Sequence, residues 1–354
     1  MIGLERFPVE PWQLRERSLD LEMLAQSESL FALSNGHIGV RGNLDEGEPA
    51  GLPGSYLNSF YETRPLPYAE AGYGYPESGQ TIVNVTDGKV IRLLLDDEPV
   101  DLRYGEIISH DRILDLRAGL LQRTCEWKAP SGRSIRMRST RMVSLTQRAI
   151  LAIHYEVEAV EAVSVVVQSE LIANQELPPQ SNDPRVSALL AKPLHADAHT
   201  GSGLRAVLGH RTAGSGLRMV AAMDHLLEMP ERLDTELSVS ADLARLTMGA
   251  QLQPGERIIF SKFVSYGWSS QRSGPALRDQ VEAALSAALR TGWLGLVREQ
   301  RTALDEFWRA ADVEVDGDPS IQQAVRFGLF HVFQAAARAE GRAIAAKGLT
   351  GPGY

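Results

Sequence analysis

Cysteine is nearly absent: Cys125 is the one residue of its kind in 354. A lone thiol excludes an internal disulfide framework and fits a reducing compartment, where free cysteine serves as a small buried apolar side chain. Long apolar runs are missing too. No stretch approaches the roughly 20 residues that span a bilayer, and the opening Met1–Glu10 is mixed polar without the apolar core of a secretory signal. We therefore expect no membrane partner and a cytoplasmic location. Positive charge is in deficit, with 36 Lys and Arg against 45 Asp and Glu and a net charge of −9. An acidic surface repels phosphate backbones, which argues against nucleic acid as a partner and is silent about neutral ligands. No Gly-x-Ser-x-Gly elbow, no Gly-Lys-Ser/Thr phosphate loop, no internal repeat and no low-complexity tract occurs.

What is present is a long series of short β-type runs. With 44% hydrophobic residues the chain can bury a large core. Ile82–Val85 and Val90–Leu95 flank Thr86-Asp87-Gly88-Lys89, and Asp-Gly is a favoured hairpin turn. Leu120–Trp127 and Ser134–Val143 flank Pro130-Ser131-Gly132-Arg133, a second turn signature. In the latter run Ile135 and Met137 alternate with Arg136 and Arg138, the period of a half-buried strand. Ile150–Val157, Val163–Ile172, Leu204–Leu208, Leu217–Ala222 and Arg257–Val264 continue the series, while Leu177–Pro184 and Ala196–Gly203 read as loops. Many strands with short turns and no long helix between them predict a mainly β fold, a large antiparallel sandwich over residues 1–270. The character changes after Ser273. Leu277, Val281, Leu285 and Leu289 step by four along one helix face, Gly292 interrupts it, and Trp293–Ala311 carries a second stripe, giving a helical linker over 271–318. Asp316–Pro319 breaks the pattern, and Pro319 suits the first turn of a new helix. That helix carries Ile321, Val325, Leu329 and Val332 on one stripe, widened by Phe330, Phe333 and Ala337. A helix apolar this far round is internal, and we expect its partners to lie outside this chain, leaving 320–354 poorly protected.

Glu28–Asn43 is the densest local signature. Gly36, Gly39 and Gly42 lack the Gly-x-Gly-x-x-Gly spacing and the following helix of a dinucleotide site, so we read a hairpin whose Asn35-Gly36 supplies positive φ. Glu46 and Glu48 in a turn-rich loop, and Asp305 and Glu306 on a helix, read as surface charge. His195 and His199 have the i,i+4 spacing of zinc ligands but stand in a loop-like stretch without the accompanying Glu, so no metal is expected. Trp12, Tyr56, Phe60, Tyr61, Tyr68, Tyr73 and Tyr75 crowd the first 80 residues and read as core or interface packing.

Two of these segments carry a resemblance. Phe31-x-Leu33-x-Asn35-Gly36-x-Ile38-Gly39-x-Arg41-Gly42 resembles the opening of the N-terminal sandwich of glycoside hydrolase family 65. Ala346-Lys347-Gly348-Leu349-Thr350-Gly351-x-Gly353-Tyr354 resembles the segment just before that family's active-site entry. The likeness runs in order through Tyr56–Glu62, Thr81–Val85, Leu114–Arg123, Ser139–Leu145 and Phe327–His331, and is weakest between Pro178 and Leu252. It implies an N-terminal supersandwich, a helical linker, and in 319–354 the start of an (α/α)6 catalytic barrel. It also implies that Lys347, Gly348, Leu349, Thr350 and Tyr354 border the active site and that Asn35–Glu48 lies near its rim. The family's acid, its Phe-Trp-Asp segment and its phosphate-binding loop come later than Tyr354, so we expect no catalytic residue here and a front part of a larger protein. The implied activity of the parent is inverting cleavage of an α-linked glucose disaccharide of the maltose, trehalose, kojibiose or nigerose type, by phosphorolysis to β-glucose 1-phosphate. The alternatives are inverting hydrolysis of the same sugars or, for this chain by itself, a non-catalytic docking or dimerisation module. Inorganic phosphate would be co-substrate in a phosphorylase, no cofactor is implied, and the full-length protein is expected to be a homodimer.

Overall fold

The computed structural model describes residues 6–65, 74, 77–175, 190, 192–228 and 230–351. Its body is a sandwich of two antiparallel sheets. Ten strands form the larger, in the order β1 (Val9–Glu10), β2 (Gln13–Glu16), β10 (Glu106–Asp115), β11 (Leu120–Lys128), β12 (Ser134–Val143), β13 (Ile150–Ala159), β20 (Arg257–Ser269), β17 (Arg218–Leu227), β16 (Arg205–Thr212) and β15 (Leu194–Ser202). Five form the smaller: β18 (Asp234–Val239), β19 (Leu243–Leu252), β14 (Val163–Ile172), β8 (Ile91–Leu95) and β9 (Glu98–Pro99). Period-two patterning gives each strand an apolar face, and the two faces meet. Trp127, Ile135, Met137, Ile153, Tyr155 and Val157 of the larger sheet share one core with Leu93, Val165, Val167, Leu246 and Met248 of the smaller. The Pro130–Arg133 turn joins β11 and β12 in register Lys128↔Ser134, with Gly132 at φ +94°.

The outer face of the larger sheet is covered by α2 (Gly274–Ala311), whose Leu277, Val281, Leu285 and Leu296 bury against Met142, Ile150, Val207, Val220 and Phe263. Ser273 caps this helix, and Gly292, at φ +68° and ψ +169°, breaks it where the sequence stripe is interrupted. The last helix, α3 (Pro319–Ala336), is capped by Asp318, whose carboxylate accepts from the Ser320 and Ile321 amides.

Three expectations are corrected. Ile82 and Ile91 do not belong to one hairpin: β7 (Ser78–Ile82) pairs with β6 (Tyr61–Pro65), β8 pairs with β14, and Asp87 instead bridges to Ile172. The Asp87 carboxylate is occupied by the Lys89 ammonium at 2.8 Å, so the Asp-Gly pair is a buried crossing between sheets. Ala196–Gly203 is mostly strand rather than loop, since Leu194–Ser202 is the edge of the larger sheet with a bulge between Ala196 and Ala198. Lastly, α3 has partners inside the chain. Phe330 is buried, Phe333 stacks on Phe307 with centroids 4.0 Å apart, Arg326 forks onto Asp312 at 2.7 and 2.8 Å, and Gln323 Nε2 donates to the Glu10 and Gln13 carbonyls. Only the opposite side stays open, with Ile321 50% and Val332 67% exposed. Leu177–Pro184 falls outside the described residues.

Candidate functional site

The glycine-rich signature and the end of the chain meet. Leu33–Ser34 (β3) and Ile38–Val40 (β4) pair as the expected hairpin, with Leu33 opposite Val40 and Gly36 at φ +83°. Asn35 builds its turn: Oδ1 accepts from the His37 and Ile38 amides at 2.9 Å, while Nδ2 donates to the Ser144 and Arg148 carbonyls. The turn then seats the residues following α3. A Cβ on Gly36 would lie 3.0 Å from the Ala335 carbonyl oxygen, and one on Gly39 would lie 2.2 Å from the Leu349 Cβ, so both glycines are required by close approach. Leu349 sits buried at φ +63° against Gly39. Arg41 reaches the Thr350 carbonyl at 2.7 Å while its other donors hold Ser29 and Ala25 and its charge meets Glu28. Asn58 Nδ2 bridges the Gly36 and Ala343 carbonyls at 2.8 and 3.0 Å.

Between this loop and strands β6 and β7 opens a cleft of about 430 Å³, lined by Asn58, Phe60, Tyr61, Gln80 and Ile82 on one side and by Ala343–Lys347, Leu349 and Gly351 on the other. Of the segment expected to border an active site, Lys347 and Leu349 line the cleft, Gly348 and Thr350 flank them, and Tyr354 lies outside the described residues. The described lining offers amides, a phenol and an ammonium but no carboxylate. It can hold a polar ligand by hydrogen bonds and cannot supply the paired acid and base of a glycosidase.

Glu46 is not surface charge, as expected from its turn-rich loop, but is buried beneath this hairpin. Arg123 Nη1 lies 2.9 Å from Glu46 and 3.4 Å from Asp45, and Arg141 lies 2.7 Å from Asp45. Burial alone would raise the Asp45 carboxyl, but Arg141, Arg123 and the Ser139 hydroxyl outweigh it and hold Asp45 below the usual carboxylate range. A parallel pair, Glu16 with Arg112 at 2.6 Å, lies beside them. These carboxylates are ion-paired and shut from solvent, so they anchor the 41–48 loop rather than exchange protons with a substrate. Glu48, Asp305 and Glu306 are exposed. His195 stands opposite Arg211 and His199 opposite Leu208, and the bulge between them turns the two rings to opposite faces. Tyr56 and Phe60 are core residues, and Trp12 packs edge-on to Trp308 with centroids 5.2 Å apart. Tyr68, Tyr73 and Tyr75 fall outside the described residues.

The sequence profile of "Glycosyl hydrolase family 65, N-terminal domain" matches residues 14–307. An uncharacterized glycosyl hydrolase of Mycobacterium tuberculosis is 61% identical over the whole chain and 45% of its own length. The α,α-trehalose phosphorylase of Thermoanaerobacter brockii is 32% identical over 98% of the chain and 46% of its own. A solved human-microbiome protein named as a kojibiose phosphorylase superposes with a TM-score of 0.87 over 98% of the chain and 44% of its own, at 22% identity, a likeness of fold. The chain thus spans about half the length of the curated relatives it matches. By the matched profile, the chain belongs to glycosyl hydrolase family 65, whose N-terminal domain it carries.

Proposed function

We propose that this chain is the scaffold half of an inverting disaccharide phosphorylase that splits an α-linked glucose disaccharide into β-glucose 1-phosphate and a free sugar. The supporting observation is the 32% identity, over nearly the whole chain, to an α,α-trehalose phosphorylase. In the proposed reaction a phosphate oxygen forms a bond to the anomeric carbon while the glycosidic bond breaks. A carboxylic acid from a barrel beginning near residue 319 protonates the departing oxygen. No water-activating base is needed, because phosphate is the nucleophile. The chain's own contribution is positional: the Asn35–Arg41 hairpin, with Asn58, holds the 343–351 loop as one edge of the sugar site. A homodimer in a reducing cytoplasm belongs to the same proposal, which size-exclusion chromatography addresses.

The test is sugar release from maltose, trehalose, kojibiose and nigerose by the chain continued to the length of its relatives, with and without phosphate. Cleavage that requires phosphate and yields β-glucose 1-phosphate supports the proposal. Cleavage without phosphate makes the protein a hydrolase, the activity in the name of the Mycobacterium relative. The 354-residue chain alone is expected to release no sugar.

A further inference from the structure

Three arginines gather behind the Asn35–Gly36 turn around a single carboxylate. Arg148 Nε stands 3.2 Å from Glu340 Oε2 and donates to the Arg338 carbonyl at 3.0 Å. Arg338 places Nη2 at 2.6 Å and Nε at 3.0 Å on the other oxygen, Oε1. Arg342 sits over the Trp268 ring, 4.2 Å from its centroid, donates Nη1 to the Asn58 carbonyl, and makes no ion pair among the described residues. Three formal positive charges thus face one negative charge, together with about half a unit from the carbonyl end of α3. The excess exceeds one unit, on side chains that are only partly hydrated: Arg148 and Arg338 are 25% and 30% exposed.

Burial and the neighbouring positive charges act in the same direction on one of these arginines and on a nearby histidine. Desolvation, with repulsion from Arg342 and Arg338 added, holds the Arg148 guanidinium below its ordinary value despite Glu340. Burial first, and then the same three arginines, keep the buried His37 ring unprotonated, with a pKa of about 3. Meanwhile the donors are underused. Both terminal nitrogens of Arg148, and Nε and Nη2 of Arg342, have no hydrogen-bond partner among the described residues. Planar guanidinium forks with free N–H groups and a surplus of charge match an oxyanion with several acceptor oxygens.

We infer that this cluster binds a small oxyanion of the phosphate class, held by the free N–H groups of Arg148 and Arg342. It adjoins the cleft through the Arg342 contact with Asn58, but none of its three arginines lines that cleft, and the inference does not depend on the catalytic proposal. Inorganic phosphate and a sugar phosphate present the same group, and the test separates them. Isothermal titration of the 354-residue chain with inorganic phosphate, and with glucose 1-phosphate, is run against chloride at matched ionic strength. One saturable site is expected. Arg148→Gln and Arg342→Gln should each weaken binding at least about tenfold, the size of a lost charge-assisted contact, and Arg342→Lys should restore part of it. Glu340→Gln should tighten binding severalfold, because it removes the one opposing charge, and a change in that direction cannot come from unfolding. Melting curves confirm that each variant folds, and where Arg148→Gln does not, Arg342→Gln and Glu340→Gln decide. Tighter binding of inorganic phosphate assigns the site to the free anion, and tighter glucose 1-phosphate assigns it to the ester. Absence of saturation, unchanged affinity in the folded glutamine variants, or weaker binding in Glu340→Gln would overturn the inference.

Discussion

At the scale of single residues, the hairpin's glycines make the sharpest predictions. Gly39→Ala drives a methyl into Leu349 and its backbone and should cost about 1–3 kcal/mol, the range for overpacking. Gly328→Ala lies in open space on α3 and should stabilise by about 0.5–1 kcal/mol through helix propensity. Urea unfolding of both variants checks the pair, and equal effects would contradict the close packing. Arg123→Met leaves Glu46 buried without its partner and should cost about 3–5 kcal/mol. These charges were partly legible: Arg123 falls in phase with Leu121, Cys125 and Trp127 on the buried face of β11, an arginine in an apolar register. What could not be read is that its partners, Asp45 and Glu46, stand nearly 80 residues earlier in a loop that looks solvated. The same burial sets the pH response. His37, His225 and His331 have folded pKa values of about 3, 3 and 4, burial being the first cause, against 6.5 for the free ring. The unfolded chain therefore binds more protons as pH falls from about 6.5, and stability should decline steadily toward pH 4. Lys262, fully buried and bonded to the Val90 and Glu170 carbonyls, is lowered by desolvation to about 7. Between pH 7 and 10 the unfolded state again holds the extra proton, so wild type should gain stability relative to Lys262→Met over that window.

At the scale of elements, period two located the long strands because each has one wet face. It failed where neither face decides. Leu194–Ser202 is an edge strand exposed on nearly every side chain, so its small and polar residues mimic a loop. The Asp87-Gly88 pair carries a turn signature, yet a buried ion pair with Lys89 and the bridge to Ile172 place it between two sheets. The α3 helix shows the limit of stripe reading. Its apolar residues run most of the way round, but the side buried most completely carries Gln322, Arg326 and Gln334 beside Phe330, each polar group matched to a partner: Gln322 to the Val313 carbonyl and Arg326 to Asp312, both just after α2, and Gln334 to the Ser34 amide of β3. Hydrogen exchange should accordingly find the Arg326–Gln334 amides protected in the 354-residue chain, and the exposed residues near Ile344 less so. Rapid exchange throughout α3 would mean that its packing needs partners this chain does not contain.

At the scale of the whole molecule, the sandwich, the end of α3 and the final loop are tied together by one short motif. The family resemblance was legible because glycines forced by close approach, and the asparagine and arginine that bridge the two ends, leave an unmistakable spacing. The geometry they serve was not legible, since Gly39 and Leu349 lie at opposite ends of the sequence. If the sandwich positions the sugar-site edge in the proposed enzyme, dislodging the loop must slow the chemistry from a distance. The direct measurement is kcat/KM for phosphorolysis by the relative-length protein carrying Gly39→Ala, with hydrogen exchange reporting on the 343–351 loop. The account predicts a loosened loop and a fall of about tenfold to a hundredfold, the effect of misplacing a positioning element by about an ångström. A loosened loop with unchanged kcat/KM would contradict it.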